Sequence, residues 1–292
     1  MTTANDLQSG KDHRDENFPV ASVLIAPAHR PAILAFYRFA RAADDIADHP
    51  TAAPEEKLRL LEEFRASLAG ESDAVELAVA LREEQKQRGI SAQYGLDLLE
   101  AFRRDVTVLR YGDWTALMDY CRYSAMPVGR FVLDVHGENQ NTWPANDALC
   151  AALQVINHLQ DCKKDHAALD RVYIPMDAMW AEGIGPEALM AKEASPALER
   201  VIKSLTRRTR TLLEQSRPFA GQISDTRLAL EVTVIQRLAE DLTEKLLRRD
   251  PLSERVHHNK LELVPLLLGA GLRFVAERGR RKNKFQLAGG QR

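Results

Sequence analysis

Apolar residues recur along most of the chain at spacings of three and four positions, the spacing that places side chains on one face of an α-helix. Almost no stretch alternates between apolar and polar residues as a half-buried strand would. No motif repeats at a fixed period. The pattern therefore predicts an all-α protein of around ten helices or more.

Prolines that can begin a helix and glycines that can end one set the predicted boundaries. Pro127 and Gly129 fall inside one predicted helix, which they should kink or open to a close neighbour. The longest irregular stretch is predicted over 172–195. Helices are expected from Pro31 to before Pro50, over 54–69 and 73–88, from a Ser91 cap through Asp105, from an Asp113 cap to His136, from Pro144 through Asp165, and over 196–216, 225–248 and 260–278.

The chain has 292 residues, of which 45% are hydrophobic, so it is long enough for a large core. We expect a disordered lead over 1–15, one folded domain over 16–278 and a basic, flexible tail over 279–292. Two interpretations of the tail stay open. It binds anionic lipid at the inner membrane surface, or it is simply solvated.

Charge and cysteine content narrow the function classes. The formal net charge of -2 argues against a nucleic-acid partner, which would need a basic surface. The three cysteines have no metal-ligand spacing, and the polar first residues contain no apolar core of a signal peptide. No apolar run is long enough to span a membrane. These features predict a cytoplasmic protein with reduced thiols, and peripheral membrane contact is one of its open alternatives.

A polar row runs along the first predicted helix. Tyr37, Arg41, Asp44 and Asp48 follow one another at spacings of four and three, so they share a helical face. Two carboxylates on one face repel each other unless a cation lies between them, and oxygen ligands suit Mg²⁺. Arginine binds diphosphate through its planar set of donors. A surface helix with Arg–Asp pairs explains this helix equally well.

A second polar row lies on the helix that begins near Pro144. Gln154, Asn157, Asp161 and Asp165 occupy positions i, i+3, i+7 and i+11 of one stripe, while the residues between them are largely apolar. Buried amides and acids need partners, and a metal–diphosphate complex would supply them. The alternative is an exposed face. With the first row, this stripe predicts a diphosphate held by Mg²⁺ between two helices.

The helix around Tyr120 carries small residues beside tyrosines. Such a helix can line an apolar pocket, where a tyrosine ring stabilises a carbocation through its face. Ordinary core packing is the stronger interpretation from this segment alone.

Three segments resemble motifs of the squalene/phytoene synthase family. Residues 36–48, which read FYRFARAADDIAD, are similar to its first aspartate motif. Residues 120–129 resemble its central Tyr-Cys helix. Residues 154–165 and the following Arg171-Val172-Tyr173-Ile174-Pro175 resemble its second aspartate motif and the segment after it. The resemblance covers about residues 14 to 275 in the family's order.

The resemblance implies an isoprenoid synthase fold, a single large helical bundle with a central cavity. It implies Mg²⁺ as cofactor and a role for each member of the rows. The implied metal ligands are Asp44, Asp48, Asp161 and Asp165. The implied diphosphate contacts are Arg41, Gln154 and Asn157, and the implied catalytic tyrosines are Tyr37, Tyr120 and Tyr173.

The opening ENFPVAS of residues 16–22 and the run Asn157–Cys162 are similar to one branch, the bacterial hydroxysqualene synthases of hopanoid synthesis. For that branch the substrate is presqualene diphosphate, the product is hydroxysqualene, and association with other enzymes of the pathway is expected. Lys164 and Gln160 depart from the wider family, which suggests altered metal and phosphate handling. A head-to-head synthase of squalene, dehydrosqualene or phytoene, and a non-catalytic assembly factor, stay open as alternatives.

Overall fold

The structure is a computed structural model that describes residues 25–289, without the side chains of residues 260, 273 and 277–289. The predicted lead over 1–15 lies outside the described residues, as do the start of the predicted domain and the last three residues. Within the described range the chain is helical, which confirms the all-α class. The helices are α1 Arg30–Ala47, α2 Pro54–Ala69, α3 Glu76–Arg88, α4 Gln93–Thr107, α5 Trp114–Ser124, α6 Met126–Val135, α7 Trp143–Leu169, α8 Met176–Ala181, α9 Pro196–Ser216, α10 Phe219–Gln222, α11 Thr226–Leu246 and α12 Lys260–Gly289.

Local capping chemistry explains several of these boundaries. The predicted limits of α2 and α9 are confirmed at both ends. Gly70 ends α2 at φ 82°, a left-handed conformation that glycine adopts at no steric cost. The Asp113 carboxylate accepts the Ala116 N–H at 2.8 Å, which confirms the predicted cap of α5.

Three local predictions were wrong. The single kinked helix from Asp113 to His136 is two helices, because the backbone leaves helical geometry at Ala125 and α6 begins at Met126 with Pro127 in its first turn. Ser91 does not cap α4, because the N-cap residue is Ala92. The hydroxyl of Ser91 accepts the Gln93 N–H. The stretch 172–195 is less irregular than expected, since it contains α8 and a 3-10 helix, Pro186–Met190.

The last helix was predicted to end at residue 278, but the backbone of α12 is helical through Gly289. The domain boundaries at residues 16 and 278 stay predictions. Pro265 lies inside this helix. The mobility of the segment that follows residue 278 stays a prediction. Among the described residues, no helix combines the length and the apolar character that a membrane span needs.

The helices pack around two hydrophobic cores, which meet along α4 and α6. The first core is formed mainly by α1 to α4, and the second by α5, α7, α9 and α11. On α6, Phe131 belongs to the first core and Leu133 to the second. A Cβ on Gly129 would lie 2.0 Å from Asn146 Oδ1, so only glycine allows α6 to pack so closely on α7. The two predicted polar rows lie on α1 and α7, on opposite sides of this boundary.

Candidate active site

The first polar row is partly exposed on α1 while the positions around it are buried. Tyr37, Arg41, Asp44 and Asp48 are all half-buried. The Arg41 guanidinium donates to Asp44 at 2.9 Å and to Asp45 at 2.6 Å. These are the Arg–Asp pairs that a surface helix would also show. A buried contact separates this row from an ordinary exposed face, since the side chain of Arg171, 5% exposed, forms an ion pair with Asp48.

The second row lies on α7 with the same alternation of burial. Gln154, Asn157, Asp161 and Asp165 are half-buried, and the apolar residues between them are buried. The Gln154 amide nitrogen lies 3.1 Å from Nε2 of His158, one turn further along the helix. The half-buried state of these four polar residues on an otherwise packed helix agrees with the predicted stripe.

Arg171 connects the two aspartate-bearing helices. Its side chain is 5% exposed and extends from the segment after α7 to the end of α1. There it forms an ion pair with Asp48 and donates to the Ala47 carbonyl at 2.8 Å. Its Nε donates to the backbone carbonyl of Asp105 at 2.8 Å. Arg171 opens a segment similar to a family motif, but sequence reasoning assigned it no role, because its partners lie 66 to 124 positions away.

Asp105, on α4, is a second residue that sequence reasoning missed. It is 5% exposed, and its two carboxylate oxygens accept the hydroxyls of Tyr120 at 2.9 Å and Tyr173 at 2.8 Å. Burial raises the pKa of Asp105 to about 6, against the opposing effects of Arg171 and of the two tyrosine hydrogen bonds. The sequence showed only an acid near the end of a helix, with no pattern to mark it.

The structure brings two of the three predicted tyrosines together. The rings of Tyr120 and Tyr173 lie 5.4 Å apart, and Tyr111 stacks on Tyr173 at 5.7 Å. The imidazole of His158 stacks on Tyr173 with centroids 3.6 Å apart. Burial, with a smaller effect of Arg171, lowers the pKa of His158 to about 3, so the ring is neutral near pH 7. Tyr37 lies on α1, in the first row.

The two rows are close enough to influence each other's ionisation. Burial raises the pKa of Asp165 to about 7, with further contributions from the charges of Asp161 and Asp48. The pKa of Asp44 lies well above its usual range because of burial and then of Asp48, while Arg41 acts in the opposite direction. Asp48 on α1 thus acts on carboxylates of both helices, which shows that the rows share one electrostatic environment.

The oxygen donors of the two rows fit Mg²⁺ better than a soft metal. Among the described residues, no three acids, histidines or cysteines converge into a ready ligand set. Mg²⁺ binds in a different way, through one or two carboxylates together with substrate phosphates. Burial, and after it the charges of neighbouring carboxylates, raises the pKa of Asp44 and of Asp165, and a bound cation would favour the ionised form of both groups.

The residues that depart from the wider family have separate environments. Gln160 is buried and donates its amide to the Val256 carbonyl, so it contacts the segment between α11 and α12. This contact is structural and gives no support to the expected role in phosphate handling. Lys164 is exposed, and its charge lowers the pKa of Asp165. Lys163 donates to the Ala191 carbonyl at 2.7 Å.

Comparisons with known proteins place this arrangement in context. The family model described as squalene/phytoene synthase matches residues 11–262. A hydroxysqualene synthase of Zymomonas mobilis is 57% identical over 276 residues, which cover 94% of this chain and 91% of the relative. One of Rhodopseudomonas palustris is 54% identical and covers 92% of each chain. A crystal structure of a squalene synthase from Alicyclobacillus acidocaldarius, 30% identical, superposes with a TM-score of 0.71 over 84% of this chain and 92% of its own.

Proposed function

The chain belongs to the squalene/phytoene synthase family and has its isoprenoid synthase fold, and from this premise we propose that it is a hydroxysqualene synthase. The proposed reaction converts presqualene diphosphate and water into hydroxysqualene and diphosphate. The observation that carries it is the contact of Arg171, which follows α7, with Asp48 and Ala47 of α1, beside a cluster of buried aromatic rings. The choice of branch is supported by identities of 57% and 54% with hydroxysqualene synthases.

The acidic rows are the proposed diphosphate site. Asp44 and Asp48 on α1, with Asp161 and Asp165 on α7, would hold Mg²⁺. When bound, the ion neutralises charge on the diphosphate and favours its departure. Three further side chains of the rows can orient the diphosphate oxygens by donating hydrogen bonds: Arg41, Gln154 and Asn157.

The aromatic cluster is the proposed place where the organic cation forms. Ring faces of Tyr120 and Tyr173, with that of Tyr37 on α1, would attract positive charge. Asp105 fixes the directions of two of these hydroxyls, so the rings are held in place before the substrate binds. His158 helps because its low pKa keeps it uncharged, and an imidazolium stacked on Tyr173 would repel the cation.

The proposed chemistry balances without a reductant. The bond between the cyclopropylcarbinyl carbon and the diphosphate oxygen breaks, and its electron pair leaves with the diphosphate. After rearrangement, a lone pair of one water forms the new carbon–oxygen bond, and that water releases a proton. Synthesis of squalene would instead consume a hydride, for which NADPH is the expected donor. The buried rings of Tyr120 and Tyr173 would keep other water from the cation.

The test is a product assay on the purified chain. With Mg²⁺ and presqualene diphosphate, and without NADPH, we expect hydroxysqualene by mass spectrometry of the extract. Chelation of Mg²⁺ should abolish turnover. Asp44→Asn and Asp161→Asn should each lower kcat/KM by at least about a hundredfold, since each removes charge from the proposed metal site. Asp177→Asn is the matched control, because it changes an exposed aspartate on α8.

Other outcomes would overturn the proposal. Phytoene or dehydrosqualene formed from prenyl diphosphates alone would place the chain among the head-to-head synthases. Full activity in both aspartate variants would remove the metal site from the mechanism. An assembly factor without catalysis would show no turnover of any of these substrates, and its function would survive both substitutions.

The proposal includes the cellular setting. The product and the hydrocarbon part of the substrate are large and apolar, so a cytoplasmic enzyme would exchange both molecules at the inner membrane surface. Contact with other enzymes of squalene and hopanoid synthesis would shorten that exchange.

A further inference from the structure

The exposed apolar surface of the described chain is concentrated on α12. Of eleven large hydrophobic residues with high exposure, six lie on this helix. Leu261 is 86% exposed and Leu272 is 74% exposed, far more than a packed helix leaves open. The six residues, here called the α12 stripe, are Leu261, Val264, Leu267, Leu268, Leu272 and Val275. Such a concentration marks an interaction surface.

The α12 stripe has a defined geometry. At 3.6 residues per turn, five of its members fall within an arc of about 80°, and Leu267 lies about 60° outside that arc. The opposite side of α12 is used for packing. There Ala270 is buried, Phe274 packs against the second core, and Glu262 forms an ion pair with Lys245 of α11 at 2.8 Å. The helix is therefore anchored by one face and presents a second, apolar face to the outside.

The charge of the same helix selects the partner. Its backbone continues through Gly289, and residues 278–284 contain five basic residues and no acid. A row of like charges opposes the packing of a second copy along this helix, whereas it favours an anionic surface. Because no described helix is suited to cross a bilayer, the fitting mode of contact is a helix that lies on it.

We propose that α12 is a membrane-docking element, whose apolar stripe enters the surface of a bilayer rich in anionic lipid. This proposal deepens the proposed function, since an apolar substrate and product would be exchanged where the enzyme docks. Binding is measured without substrate, so the two proposals fail independently. Vesicle binding without catalytic activity would contradict only the proposed reaction. Catalytic activity without vesicle binding would contradict only the proposed docking.

The experiment is co-sedimentation of the full chain with vesicles of phosphatidylcholine, with and without phosphatidylglycerol. We expect binding to the anionic vesicles at least about tenfold tighter than to the neutral ones. The test variant is Leu268→Glu with Leu272→Glu, which should weaken that binding by at least about tenfold. The control is Trp180→Glu with Met190→Glu, two exposed apolar residues elsewhere. Both double variants change the net charge equally, so they differ only in where the two glutamates are introduced. The control variant should bind vesicles as tightly as the unaltered chain does.

Several results would overturn the proposal. They are equal losses in the two double variants, no binding by the unaltered chain, or a dimer that the Leu268→Glu, Leu272→Glu variant dissociates while vesicles have no effect. The last result would assign the stripe to a second copy. If the test variant does not fold, hydrogen–deuterium exchange on the unaltered chain decides. Slower exchange over 261–275 with anionic vesicles supports docking, and unchanged exchange refutes it.

Discussion

Asp105→Asn tests the electrostatic description of the site without reference to any substrate. The native carboxylate is buried and accepts two tyrosine hydroxyls, and burial raises its pKa to about 6. In an unfolded chain the pKa of an aspartate is about 3.9. Folding therefore favours the protonated form. The contribution of this group to stability is complete below about pH 4 and is lost as the pH rises through about 6.

The magnitude follows from that difference in pKa. A shift of about two units corresponds to roughly 3 kcal/mol between the acidic and the neutral limit. Asparagine has a similar shape but cannot ionise, so the variant should not lose this part of its unfolding free energy as the pH rises. One tyrosine hydroxyl loses its acceptor in the variant, which costs about 1 kcal/mol at every pH. The difference in unfolding free energy between the native protein and the variant should therefore change with pH.

The assay is urea unfolding followed by circular dichroism at about pH 4, 5, 6 and 7.5. From the lowest to the highest pH, the native protein should lose roughly 3 kcal/mol more of its unfolding free energy than Asp105→Asn does. Asp97→Asn is the control on the same helix, at a less buried position, and its curve should run parallel to that of the native protein. Parallel curves for Asp105→Asn as well would refute the reasoning.

Three further predictions concern packing and positioning. Gly129→Ala should lower the unfolding free energy by about 1–3 kcal/mol in calorimetry, because its Cβ would meet Asn146 at 2.0 Å. Arg171→Lys should lower kcat by at least about tenfold in the product assay, since an ammonium cannot keep all three contacts of the guanidinium; an unchanged kcat would remove Arg171 from the site. Glu138→Gln should lower the urea midpoint, by about 1–2 kcal/mol in free energy, because its carboxylate accepts the Asp225 N–H at 2.7 Å; an unchanged midpoint would show that this contact is not stabilising.

Local chemistry made much of the fold predictable. Pro54 and Gly70 mark the ends of α2, and Ser195 and Pro196 mark the start of α9, through interactions within a few residues. The break at Ala125 was harder to foresee. A proline such as Pro127 is compatible with a kink inside a helix and with the first turn of a new helix. The packing of α6 against α7 decides between the two.

For the site as well, the features that depend on local spacing were predictable and those that depend on distant partners were not. The rows on α1 and α7 follow from helical spacing, and their half-buried state agrees with the pattern. Asp105 and Arg171 could not be found that way, because their roles depend on partners far along the chain. The α12 stripe escaped notice for a related reason. Its residues have the composition of a core helix, and only the packed structure shows that, within residues 25–289, one face of the helix is exposed.

The division into two cores has a consequence for how the molecule folds. The first core draws on a continuous run of sequence, α1 to α4, so its contacts are comparatively local and can form early. The bonds of Arg171 to α1 close chain loops of more than a hundred residues. We therefore expect two cooperative units whose docking is a late event, and the catalytic centre would be assembled by that last step. A folding intermediate would then hold most of its helices while remaining unable to turn over a substrate.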